Sequence, residues 1–313
     1  MRRIGQTDVH VSELGFGGAP IGNLYRAVTD GQARAAIDTA WEHGVRYFDT
    51  APHYGLGLSE RRLGTALAGR SRADFVLSTK VGRLLEDNPT PTGSDLPSGG
   101  FAVPDTVRRR LDFSAAGVCR SLRESLDRLA VDRIDIVLVH DPDDHLEMIV
   151  AETIPALQRL RDKGMVSAIG IGMNAWRPLL GLVEQAGVDV VMLAGRWTLV
   201  DRSGGPLLDA CHRRGVSVLA AGPFNSGLLA RSWPPDDATY DYAGAPADVL
   251  ARARALAAAY RVRGLELPHA ALLFPLRHPA VASVVAGLRS AAEAEAAAVW
   301  AGAPLCDDVW EEL

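Results

Sequence analysis

Four side chains able to move protons, Asp49, Tyr54, Lys80 and His140, each stand at or just past the end of a short apolar run. The runs are Val45–Phe48 ahead of Asp49, Phe75–Thr79 ahead of Lys80 and Ile134–Val139 ahead of His140. If these runs are neighbouring parallel strands, their ends share one face, and residues far apart in sequence meet around one cavity. A carboxylate, a phenol, an ammonium and an imidazole gathered there make a proton-transfer site. A free phenol, with a pKa near ~10, is a poor base at neutral pH. An ammonium close by is expected to stabilise the phenolate and lower that value. Asp49 would keep Lys80 charged and aimed at Tyr54, and His140 would orient and polarise a substrate oxygen. Read singly, each has a structural alternative: a helix cap for Asp49, a half-buried loop aromatic for Tyr54, a surface ion pair for Lys80, a satisfied core histidine for His140.

Positioning such a set takes a repeating scaffold, and the chain has one. Candidate strands are Leu14–Gly17, Val45–Phe48, Phe75–Thr79, Ile134–Val139, Val166–Ile171, Val188–Leu193, Val216–Ala220 and Val281–Val285. Helical stretches lie between them: Asp30–His43, Glu60–Ala68, Ser114–Leu129, Leu146–Lys163, Trp176–Gln185, Pro206–Arg213 and Ala247–Arg263, with an alanine-rich helix former at Ala291–Ala298. Gly44, Gly164, Gly187 and Gly215 each stand between a polar helix end and a strand, where a left-handed glycine lets the chain turn straight on. Continuous apolar strands imply burial on both faces. Eight of them favour a closed (β/α)8 TIM barrel, residues 1–313 forming one domain, over an open sheet. The glycine fingerprint of an open dinucleotide-binding sheet fails, because Gly15-Phe16-Gly17-Gly18-Ala19-Pro20 ends in proline. Two long segments, 83–110 and 232–246, interrupt the rhythm on the catalytic side and read as substrate or cofactor lids.

Bulk properties narrow the class. The 313 residues carry a net charge of −5 with no basic tract, so nucleic acid is not an expected partner. No apolar stretch reaches the ~18 residues of a membrane span. Met1–Asp8 shows no secretory h-region, and Cys119, Cys211 and Cys306 are unclustered, which points to a cytoplasmic protein without a metal site.

The string Asp49-Thr50-Ala51-Pro52-His53-Tyr54-Gly55, with Lys80 and His140, resembles the tetrad of the aldo-keto reductases. Gly17-Gly18, Ile169-Gly170-Ile171-Gly172-Met173-Asn174 and Gly287-Leu288-Arg289-Ser290 are similar to further family signatures, so the resemblance covers essentially the whole chain. The Gly-Met-Asn string and Leu138-Val139-His140-Asp141-Pro142-Asp143 look closest to its aldose 1-dehydrogenase branch. The resemblance implies NAD(P)-dependent oxidation of an aldose, such as L-fucose, at C1 to its lactone, with Tyr54 as proton acceptor. It leaves open aldehyde or ketone reduction by the same tetrad, pyridoxal 4-dehydrogenation, and a non-catalytic nicotinamide-binding subunit.

By resemblance, Asn174 would hold the nicotinamide carboxamide, or serve as a helix cap. Gly18 and the loop of Gly222, Pro223, Phe224, Ser226, Gly227 and Leu228 would lie along the cofactor, the loop against its pyrophosphate. Gly287 would also contact the cofactor, and Arg289 would meet the adenosine ribose or its 2′-phosphate. Glu293, where relatives often have a second arginine, would repel that phosphate, so NAD is expected to be accepted, with the NADP preference open. His53, Trp176, Arg196 and Trp197 are the candidate substrate contacts, suited to a sugar or aldehyde. With no evident interface patch, a monomer or weak homodimer is expected.

Overall fold

The computed structural model describes residues 1–310. Eight parallel strands close into a barrel in chain order. They are β1 (Leu14–Gly17), β2 (Tyr47–Asp49), β3 (Val76–Val81), β4 (Ile134–His140), β5 (Val166–Met173), β6 (Val190–Ala194), β7 (Ser217–Ala221) and β8 (Val281–Gly287). Closure comes from β8 pairing with β1, Gly287 opposite Gly17, and Gly17 in turn stands opposite Asp49 of β2. Along β4, Ile136 and Leu138 point into the barrel with Tyr47, Ala168, Val190 and Met192, while Val137 and Val139 face the helices. That two-residue alternation between two apolar environments explains the unbroken apolar runs. A hairpin of Arg2–Arg3 and His10–Val11 plugs the far end, its Ile4, Val9 and Val11 joining the interior cluster.

The outer helices are α1 (Asp30–Glu42), α2 (Leu58–Leu67), α3 (Ala115–Leu129), α4 (Ile154–Asp162), α5 (Trp176–Gln185), α6 (Gly205–Arg214), α7 (Ala247–Val262), α8 (Leu267–Leu273) and α9 (Ala291–Ala301). Thr29 and Gln32 form a reciprocal capping box on α1, and Ser114 caps α3. The four glycines between helix and strand all take positive φ, from 59° to 86°. The expected single helix 146–163 is broken into a turn at Leu146–Met148, a wide π turn at Ile149–Thr153, and α4. Pro155 has no N–H to return to the preceding turn, which ends the regular ladder there. Short α8 lay outside the sequence expectation; it packs Leu267, Ala270 and Ala271 with Tyr260 and Phe274 in a second core cluster.

Both long insertions are organised. Residues 83–110 hold an antiparallel pair, Arg83–Asp87 with Val107–Leu111, and a helical turn at Leu96–Gly99. Residues 232–246 hold a small hairpin, Thr239–Tyr240 with Ala243–Gly244. Among the described residues no helix is long and apolar enough to cross a membrane.

Candidate active site

Register builds the first half of the site. Asp49 stands opposite Ser78, and Lys80 lies two residues further along β3, on the same face. Lys80 Nζ donates to Asp49 Oδ2 at 2.7 Å and to the Thr50 carbonyl at 3.0 Å, with both charged residues only 2% exposed. Ser78 Oγ donates to the other carboxylate oxygen at 2.7 Å and meets the Tyr47 hydroxyl at 3.0 Å. The ammonium also sits 4.6 Å from the centre of the Tyr54 ring. Burial works against the lysine's charge, but Asp49 and Tyr54 outweigh it and hold its pKa above the ordinary value. For Asp49 burial is the larger effect and raises the carboxyl, Lys80 opposing.

Tyr54 hangs on the turn after β2, where Gly55 has a φ of 62° and a Cβ would strike the Gly22 carbonyl. The expectation that Lys80 brings the phenol below its usual pKa needs correction. Lys80 does pull it down, through charge and hydrogen bonding, yet burial outweighs both and pushes it up to about 12. A phenol so placed is a better proton donor than acceptor until further positive charge arrives.

His140, the last residue of β4, brings its ring to 5.9 Å from that of Tyr54, edge to face. Burial first, then the charges of Arg83 and Lys80, keep its pKa well below 6.5, so it is a neutral imidazole. Its Nε2 lies 3.5 Å from Asp141 Oδ2, and Asp141 is paired with Arg83 at 2.9 Å. His53 stands 5.5 Å from His140, and burial with Arg109 and Arg83 lowers its pKa to about 2. Arg109 makes a bidentate pair with Asp95 (2.6 and 2.7 Å) and donates to the His53 carbonyl at 3.0 Å. The first insertion is thereby pinned as a wall, Phe101 packing on both His53 and Tyr54.

These groups open into one cleft of about 1180 Å³, lined also by Ala19, Tyr25, Leu96, Asn174, Trp176, Arg196 and Tyr242. That exceeds the ~300–1,000 Å³ usual for one small ligand. Asn174 keeps its amide at the rim with one long contact, 3.5 Å, to the Tyr242 hydroxyl. Arg289 is half-buried beside Tyr25, its pKa lowered by burial, and Glu293 is 3.8 Å away. A loosely held amide on the cleft and a half-buried guanidinium beside Tyr25, itself a cleft residue, suit the polar groups of a nicotinamide dinucleotide.

Several candidate contacts lie differently from expectation. Trp197 packs on Phe274 and His278 at 5.5 Å each, so it belongs to the core and not to the cleft. Arg196 lines the cleft, but its guanidinium is held by both oxygens of Asp241, at 2.9 and 2.8 Å, and by Asp201. Leu228 is fully buried, which leaves only its main chain for a cofactor, and the partly buried Phe224 packs against both outer clusters. Ser226 uses its hydroxyl on the Tyr242 N–H and its carbonyl on Thr239. Gly222, Pro223 and Gly227 share that turn, which follows β7 outside the cleft lining. Gly18 donates to the Asp49 carbonyl at 2.8 Å, and a Cβ there would come within 2.6 Å of Ser59 Oγ, so its bareness serves packing. Gly287 ends β8, close against Pro20. Sequence reasoning missed Ser78, although its two-residue spacing from Lys80 signalled a shared face. It also missed Arg109, Asp95 and Tyr242, which sit in loops without periodicity.

Residues 13–313 match the aldo/keto reductase family. The chain is 43% identical to D-threo-aldose 1-dehydrogenase from Pseudomonas sp over 97% of its length and 93% of that protein's. It is 36% identical to pyridoxal 4-dehydrogenase from Microbacterium luteolum, covering all of this chain and 96% of that one. L-Galactose dehydrogenase from Arabidopsis thaliana is 32% identical, over 94% and 86% of the two chains. An aldo-keto reductase from Bacillus halodurans, solved in its holo form, superposes with a TM-score of 0.78 at 29% identity, covering 98% of this chain and 93% of that one. Barrel, match and relatives agree: this chain is an oxidoreductase acting on CH–OH groups and belongs to the aldo/keto reductase family.

Proposed function

We propose that this chain oxidises an aldose, L-fucose or a similar sugar, at C1 to its lactone with NAD or NADP. The observation that carries the reading is the buried Lys80 ammonium, 2.7 Å from Asp49 and 4.6 Å from the Tyr54 ring, at a cleft shared with His140. Oxidation takes a hydride from C1 and a proton from the anomeric hydroxyl. Tyr54 accepts that proton on its phenolate oxygen, Lys80 stabilises the phenolate beforehand, and neutral His140 holds the sugar oxygen by a hydrogen bond. When bound, the nicotinamide would supply the hydride acceptor and, in its oxidised form, a positive charge. Asn174 and Arg289 would hold its two ends, and Glu293 near Arg289 favours acceptance of NAD. The names of the 43% and 32% identical relatives support an aldose. The chain is read as one barrel domain over residues 1–313, cytoplasmic, monomeric or weakly dimeric; its free thiols Cys119, Cys211 and Cys306 suit a reducing compartment.

Cofactor reduction over a panel of aldoses, with NAD and NADP in parallel, tests this. Lactone formation from at least one sugar is expected, and none would reject it. Tyr54→Phe should abolish turnover while cofactor affinity stays within about threefold, since no binding contact is removed; unchanged turnover rejects the mechanism. A second reading, carbonyl reduction, is favoured by the phenol pushed up to about 12, which keeps Tyr54 in the protonated form that a proton donor needs. Pyridoxal, suggested by the name of the 36% identical relative, belongs in the same panel.

A further inference from the structure

We infer that His53 and His140 act as a pair reading two adjacent substrate oxygens, the reacting one and the hydroxyl on the neighbouring carbon. The site would then select aldoses and other 2-hydroxy carbonyl compounds over simple aldehydes. This deepens the aldose reading above and rests on it.

Both rings line the catalytic cleft, with centroids 5.5 Å apart and planes at 77°. Each lies close to the Tyr54 ring, His53 at 6.1 Å and His140 at 5.9 Å. In each, Nδ1 is shut away from solvent with no hydrogen-bond partner among the described residues. The remaining nitrogen, Nε2, is therefore the edge each ring has to offer the cleft. At His140 that nitrogen is 3.5 Å from Asp141 Oδ2, beyond good hydrogen-bond range for this donor and acceptor, and a substrate oxygen closer in would take its place.

Chemistry selects the partner. Arg83, Arg109 and Lys80, together with burial, keep both imidazoles neutral, so they bind by hydrogen bonding and not by charge. Lys80 and Arg196 on the same cleft are already paired with Asp49 and Asp241, so neither is free to hold an anionic substrate. A neutral diol fits, because each hydroxyl can donate to a bare Nε2 or accept from a protonated one, whichever tautomer the imidazole holds. His53 is also pinned before substrate arrives: its ring stands edge-on to Phe101 at 5.3 Å, and Arg109 holds its carbonyl at 3.0 Å. A hydrocarbon at position 53 would pack as well against Phe101 but would offer the cleft no polar edge, whereas the imidazole presents Nε2 there to a substrate oxygen.

The test compares kcat/KM for L-fucose with 2-deoxy-L-fucose, and for L-galactose with 2-deoxy-L-galactose, in the native enzyme, His53→Phe and His53→Gln. The native enzyme should prefer the parent sugar by about 10- to 100-fold, the usual penalty of leaving one buried polar group without its hydrogen bond. In His53→Phe the ratio should fall to within about threefold of unity, and His53→Gln, which keeps a donor, should retain part of it. A native ratio near one, or one unchanged by His53→Phe, overturns the pairing while leaving aldose oxidation intact. No oxidation of either member of both pairs, nor of any other aldose of the panel above, overturns the aldose reading itself.

Discussion

Replacing Lys80 with methionine removes the cation on which the site is organised and leaves its carboxylate partner stranded. Asp49, 2% exposed, would keep only Ser78 as a side-chain donor, at 2.7 Å. Breaking a buried pair by deleting one partner costs about 3–5 kcal/mol when the survivor stays charged. Asp49 has a way out: burial already raises its carboxyl, and losing the lysine removes the main opposing influence. A carboxyl whose folded pKa lies above its unfolded value binds its proton more tightly in the folded state. Relative to the native chain, the Asp49 contribution in the variant should therefore be greatest in acid and be lost as pH rises from the unfolded pKa towards that folded one, by up to about 1.4 kcal/mol per pH unit. Urea unfolding at pH 5 and pH 8 reads this directly. The added Asp49→Asn substitution should recover stability at pH 8 and remove the extra slope. Oxidation by Lys80→Met should fall about 10²–10⁴-fold, because burial of Tyr54 is then unopposed. Equal stability of the single and double variants at both pH values would refute the picture of Asp49 as a carboxylate stabilised by that ammonium.

The site's electrostatics and packing lead to three further outcomes. Because the phenol sits at about 12 and must be deprotonated to accept a proton, the oxidation rate should climb with pH into the alkaline range, while reduction does not; pH–rate profiles in both directions check this. His53 and His140 are held neutral in the folded state with depressed pKa values, so the unfolded chain binds more protons in acid. Stability should be complete above pH ~6.5 and fall as pH drops below it, with a shallower slope in His53→Gln, measured by urea midpoints from pH 4 to 8. Arg109→Met should strand Asp95, 3% exposed, costing up to about 3–5 kcal/mol and loosening the 83–110 wall. The expected signature is faster proteolysis within that segment and a raised KM for substrate, with little change in cofactor affinity; Asp95→Asn in the same background should restore part of the stability.

What the chain announced locally was its scaffold. Strand, glycine and helix repeat within windows of a few residues, and the unbroken apolar runs of strands such as β4 and the near-four spacing of buried residues along the helices are properties of adjacent side chains. Hence Trp176–Gln185 and the glycine turns were legible, as was the gathering of Asp49, Tyr54, Lys80 and His140 at one rim, which strand ends alone imply. Loop side chains carry no such period. Only the folded chain showed that Trp197 turns into the core, that Arg196 is spent on Asp241, that Ser226 serves the hairpin after it, and that Arg109 reaches the His53 carbonyl. The phenol of Tyr54 marks the division most sharply. Its neighbour Lys80 could be read from the residue string, and that neighbour does pull the pKa down. The net direction was set by desolvation, a sum over atoms brought in from Phe101, His140 and the barrel rim. A sum of that kind exists only once distant segments have met in space.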